Sequence, residues 1–173
     1  MKKFILFIFL SAIVFIAFSK KMPAPKDFSN NAISIGVVVA DLEKSIDFYT
    51  NVIGMTKTGG FSVDENFTKR SGLNAGIAFD VTVLKLEDTP QAPEWKLMSF
   101  YRKPSHPWPK YMTDDNGIQY VTIFVTSMKP FLERIKRYNV KLLSEPGLKL
   151  EDGRSFVLIQ NPDGTFIELI GSE

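Results

Sequence analysis

The 173 residues include one histidine and no cysteine, so few side chains can pass protons near neutral pH and no disulfide can form. The histidine, His106, sits in Pro104-Ser105-His106-Pro107-Trp108-Pro109, a proline-rich stretch that reads as a surface loop. Aromatic side chains are plentiful: Phe79, Trp95, Phe100, Tyr101, Trp108, Tyr111, Tyr120, Phe124, Phe156 and Phe166. Lining a cleft they would suit a flat or sugar-like ligand, but most fall in strand candidates and read as plain core. Arg102 and Lys103 follow one such strand, where they would meet an anionic ligand or simply be solvated.

The elements that position these residues come in a repeated order. Ile33 to Val39 is rich in β-branched residues and predicts a strand; Asp41 follows as a helix N-cap. Leu42, Ile46, Tyr49 and Ile53 then recur at helical spacing, and Gly54 ends the helix. Three strand candidates come next, Met55 to Val63, Ala75 to Leu86 and Trp95 to Tyr101. A polar, proline-containing linker runs through to Asn116, and the order starts again. Ile118 to Val125 predicts a strand, Ser127 an N-cap, and Phe131, Ile135 and Tyr138 a helical face. Val140 to Ser144, Leu148 to Leu150, Ser155 to Gln160 and Thr165 to Ile170 follow as extended segments. Asn161-Pro162-Asp163-Gly164 makes the turn between the last two. Placing Asp41 on Ser127 places Ser34 on Tyr120 and Leu42 on Met128, which marks an internal duplication.

The N-terminus is of another kind. Lys2 and Lys3 precede an apolar run from Phe4 to Phe18 broken only by Ser11, with Ala17-Phe18-Ser19 at its end. That length is short of the roughly 20 residues a spanning helix prefers and matches a secretion signal, so residues 1–19 are expected to be a signal peptide and 20–31 a tether. The expected destination is the periplasm or the exterior, with no stable membrane contact after cleavage; an uncleaved N-terminal anchor is the alternative. Two of the 21 basic residues and none of the 19 acidic ones precede the cleavage point, so the remainder is balanced. With no basic block, nucleic acid is not the expected partner.

Ile33 to Tyr49 with Val52-Ile53-Gly54-Met55, and Asn161 to Leu169 at the far end, closely resemble the opening and closing motifs of the vicinal-oxygen-chelate superfamily, which comprises glyoxalases, bleomycin-resistance proteins and extradiol dioxygenases. The resemblance covers about residues 32 to 171. It implies an α+β fold of two tandem βαβββ modules (32–102 and 117–171, joined by 103–116) that curl a mixed sheet around a cleft, in one domain spanning 32–173. It also implies four positions at which family members hold a divalent metal, on the first and last strand of each module. Carried over, these fall on Ser34, on Lys96 or Met98, on Tyr120 and on Glu168. Only Glu168 keeps a residue suited to a hard cation, so the expectation is no bound metal and no other cofactor.

Three functions remain open on that basis: two that use the cleft, and an exported structural or accessory domain with no small ligand. The first is a binding protein of the bleomycin-resistance kind that takes a small organic molecule between the modules, with Ser34, Met98, Tyr120 and Glu168 against it. The second is a metal-independent or divergently liganded lyase or isomerase. In it Glu168 is a general base, made more basic by an apolar cleft, and Tyr120 donates to a developing oxyanion. Against both stands the reading of Glu168 as a satisfied buried group bonded to Ser34 or Tyr120. Relatives of this family close their clefts within one chain or across two, so a monomer and a homodimer are both open.

Overall fold

The computed structural model describes residues 28–29, 32–102, 104 and 106–173. The expected signal peptide and nearly all of the tether lie outside the described residues, as does Lys103. In chain order the elements are β1 (Ser34–Val38), α1 (Leu42–Asp47) with a π-helical continuation (Phe48–Ile53), β2 (Thr56–Val63), α2 (Glu65–Arg70), β3 (Phe79–Lys85), β4 (Glu94–Phe100), β5 (Tyr120–Ser127), α3 (Lys129–Arg137), β6 (Ser155–Gln160) and β7 (Phe166–Ser172).

They form two sheets with the same logic. In module one the order is β1-β4-β3-β2, with β1 parallel to β4 and the other pairs antiparallel. In module two the order is β5-β7-β6, again with the first and last strands parallel. The α+β fold of two modules expected from the sequence is therefore present, with two differences. Val140–Ser144 and Leu148–Leu150 do not build a fourth ladder strand. Glu145-Pro146-Gly147 interrupts the run, and its contacts to β6 are an isolated Lys149↔Ser155 bridge and scattered bonds such as Leu143 N–H to Leu158 O. Module one gains a short helix instead, α2, capped by Asp64, whose carboxylate accepts from Phe67 N–H at 2.7 Å.

The period-two alternation decides which side chains face which way. Along β1, Ile35 and Val37 turn toward the helices while Ser34, Gly36 and Val38 turn to the opposite, open face. The helix-side faces of both modules share one core that includes Tyr49, Val52, Leu84, Trp95, Leu97, Ile123, Ile135, Ile159 and Leu169. A smaller cluster of Phe79, Val81 and Val83, with Met98 and Phe100 against it, lies on the open face of module one.

Three polar contacts lock the modules together at the Asn161–Gly164 turn. Asp163 accepts from Ala40 N–H at 3.0 Å and from the Ser45 hydroxyl at 3.3 Å, and Asn161 Nδ2 donates to the buried Tyr49 hydroxyl at 2.8 Å. Asn161 Oδ1 also accepts from Asp163 N–H and Thr165 N–H, so one side chain shapes the turn and docks it. From the other side, Arg134 on α3 donates to the carbonyls of Val52 and Ile53 at the end of the π-helical turn. Asp41 caps α1 as expected, accepting from Lys44 N–H at 3.0 Å, and Gly54 closes the helix at φ 93°. Ser127 does not cap α3: β5 runs through it and Met128 occupies the cap position with no side-chain bond.

Candidate functional site

The ladder register settles which residues of the two modules correspond. Ser34 pairs with Glu94 and Gly36 with Lys96 in module one; Tyr120 pairs with Phe166 and Thr122 with Glu168 in module two. With Ser34 equivalent to Tyr120, the counterpart of Glu168 is Lys96. Met98, the other residue the sequence allowed, is the counterpart of Ile170. Ser34, Lys96 and Met98 share the open face of their module, and Tyr120 and Glu168 that of theirs.

On module one these positions are drawn into a polar trio. Glu94 accepts from the Ser34 hydroxyl at 2.8 Å and pairs with Lys96 Nζ at 3.0 Å; Lys85 stands 3.9 Å away on the next strand. The Lys96 ammonium and then the Ser34 hydroxyl hold the Glu94 carboxyl below its ordinary range. Sequence reasoning missed Glu94 because it started the strand at Trp95; the alternation Glu94, Lys96, Met98 was the available signal. Next to the trio, Met98 lies over Gly36, close enough that a Cβ at Gly36 would meet its Cε at 3.1 Å. An apolar floor of Phe79, Val81 and Val83 extends from there.

On module two Glu168 is half-buried and accepts from the Thr122 hydroxyl at 2.6 Å. The partners expected for a satisfied Glu168 were Ser34 or Tyr120, so this is a correction: Thr122 sits directly opposite in the ladder and reaches first. Tyr120 is a diagonal neighbour on the same face, half exposed at 49 %, and makes no side-chain hydrogen bond among the described residues. Four cavities are walled by other residues, and none of these four includes Ser34, Met98, Tyr120 or Glu168. Nor are the linker and rim aromatics core: Tyr101, Trp108, Tyr111 and Phe124 are all more than half exposed. Arg102 is exposed as well.

His106 remains on the linker, but it is anchored. Its Nε2 lies 3.0 Å from the Asp163 carbonyl and its Nδ1 2.8 Å from that of Pro107. Pro109 and Trp108 pack on Gly164, whose φ of 91° and lack of a Cβ allow the approach.

A family model described as the Glyoxalase/Bleomycin resistance protein/Dioxygenase superfamily matches residues 32–169. The chain belongs to this superfamily. A lactoylglutathione lyase of Neisseria meningitidis is 27 % identical over 133 residues, 76 % of this chain and 83 % of that protein. Among solved structures, a glyoxalase family protein from Bacillus cereus superposes with a TM-score of 0.68 at 18 % identity, covering 86 % of this chain and 97 % of that one. The trypanothione-dependent glyoxalase I of Leishmania major gives 0.61 at 21 %, covering 83 % and 87 %.

A hydroxyl, an ammonium, a phenol and one carboxylate occupy the four positions, and an ammonium repels a cation outright. Two of the four, Ser34 and Lys96, are already bonded to Glu94. These residues do not fit a four-ligand divalent site. Among the described residues no group of three or more histidine and carboxylate side chains comes together elsewhere.

Proposed function

We propose that this superfamily member binds a small organic molecule on the open faces of its modules, without a metal or other cofactor, as an exported protein of the periplasm or exterior. One observation carries the reading: the apolar floor of Phe79, Val81, Val83 and Met98 abuts a short row of polar groups at Ser34, Glu94 and Lys96. Ligand sites combine apolar walls with a few placed polar groups in this way. Glu168 and Tyr120 supply the polar groups of the other module. Closure of the site is by the second module of the same chain or by a second copy.

The second reading is a lyase or isomerase in which Glu168 moves the proton and Tyr120 donates to the oxyanion. It is favoured by a Tyr120 hydroxyl that is half exposed and makes no hydrogen bond among the described residues, and by the name of the Neisseria relative. One titration separates the two. S-lactoylglutathione, carbonyl compounds and sugar acids are screened by thermal shift and for turnover, with wild type and Glu168→Gln. A binding protein keeps its affinity for a neutral ligand within about twofold, whereas a general base lost from an enzyme lowers kcat by about 10² to 10⁴. A stoichiometric divalent ion in the purified protein, with an activity that EDTA removes, overturns the metal-free reading.

A further inference from the structure

On the helix side of the molecule, away from the open faces, the modules and the linker line a half-open cavity of about 600 Å³. From this we infer a second ligand site there, selective for an aromatic or apolar carboxylate. Its volume falls in the range of roughly 300–1,000 Å³ typical of small-molecule sites.

Three parts of the chain build it. The π-helical turn supplies Phe48 and Val52, the segment after α3 supplies Val140 and Leu143, and the linker closes one side with Trp108 and Pro109. A π-helical turn widens a helix and costs hydrogen-bond geometry, and such turns recur at functional sites. Here it faces the cavity. Gln160 Nε2 holds the wall in place by donating to the Pro109 carbonyl at 2.8 Å, and Trp108 stays 60 % exposed. An indole that packs on Gly164 and still leaves more than half its surface exposed offers a stacking surface on a tethered loop.

The rim fixes the sign of the ligand. Lys44, Lys110 and Lys141 stand around the mouth with Asp47 as the single carboxylate, and Asn51 donates to that carboxylate at 2.6 Å. None of the three lysines makes an ion pair among the described residues, and Lys110 lies 5.0 Å over the Tyr111 ring. Apolar walls under a cationic rim suit a ring with one negative group. This site shares no residue with Ser34, Met98, Tyr120 or Glu168, so it does not depend on the function proposed above.

The test uses the full chain and 1-naphthoate, with neutral 1-naphthol as its near-isostere. Calorimetry and NMR are expected to show 1-naphthoate binding about tenfold more tightly than 1-naphthol, with shifts centred on Val52, Val140 and Leu143. Lys44→Gln and Lys141→Gln each weaken it about threefold, Lys141→Arg restores the affinity, and Trp108→Ala weakens both compounds. Equal affinity for acid and alcohol overturns the inference, as does an absence of binding. So do shifts centred on Met98 and Ile170, which would move the probe to the open faces and bear on the first site instead.

Discussion

The two modules start from the same plan and part company at their edges and on their open faces. Module one carries four ladder strands and a capped first helix; module two carries three, with an uncapped α3 and an irregular segment where the fourth strand would pair. On the open face, module one replaces the ligand positions with a trio centred on Glu94, while module two keeps Glu168 and gives it one hydroxyl partner. The backbone ladder thus fixes where a side chain points. It leaves free what that side chain is, and two modules of one fold can carry opposite charge at equivalent positions, Lys96 against Glu168.

The joint between the modules is where that comparison breaks most easily. Asn161→Ala removes the bond to Tyr49 and the two bonds that shape the turn, all at a buried position. The expected loss is about 3 kcal/mol, a fall in Tm on the order of 10 °C, read by calorimetry. A drop under about 1 kcal/mol would mean that the shared core alone holds the modules.

Tyr49→Phe tests the same joint through pH. Burial pushes the Tyr49 phenol well above its ordinary value, with the Asn161 bond opposing only in part. A raised pKa means the neutral form is the stabilising one, so this contribution is complete below the ordinary phenol value near 10 and is lost as pH rises from there. The variant is expected to lose about 1.5 kcal/mol near pH 7 and to show a flatter decline of stability above about pH 10. Chemical denaturation at a series of pH values reads both.

The helix starts give a smaller contrast. Asp41→Ala is expected to cost about 1 kcal/mol because its carboxylate caps α1. Ser127→Ala is expected to fall within about 0.5 kcal/mol of wild type, since its hydroxyl makes no cap bond.

How much of this was legible in the sequence follows from the kind of signal each part carries. The β1–α1 opening and the Asn161–Gly164 turn were readable because local chemistry dictates them: an N-cap aspartate, a stop glycine, a turn asparagine. The α2 helix was missed although Asp64 signals it, because six residues are too few to show periodicity. Val140 to Ser144 misled for the converse reason. Its apolar residues Val140, Leu142 and Leu143 read as an extended segment, but pairing is a tertiary event that Pro146 and Gly147 interrupt. On the open face, the residue types at Ser34, Tyr120 and Glu168 were legible and their partners were not. Thr122 as the partner of Glu168, and Lys96 as its counterpart, depend on register between strands more than forty residues apart.

The smallest effect bears most directly on the divergence of the open faces. In Lys96→Met the Glu94 carboxyl loses its leading charge partner and keeps the Ser34 hydroxyl. Its titration, followed by NMR, is expected to move up toward the ordinary carboxylate value, with Ser34→Ala giving the smaller part of the same shift. The sign for stability follows from the lowered value. Glu94 contributes above the ordinary carboxylate value and ceases to do so as pH falls through the lowered one, so Lys96→Met should flatten the acid limb of the stability curve. Because the trio is partly exposed, the change in stability at neutral pH is expected to be small. If Glu94 titrates unchanged in Lys96→Met, the ion pair does not govern the carboxylate, and the Ser34 hydroxyl is its leading partner, much as the Thr122 hydroxyl is that of Glu168 on module two.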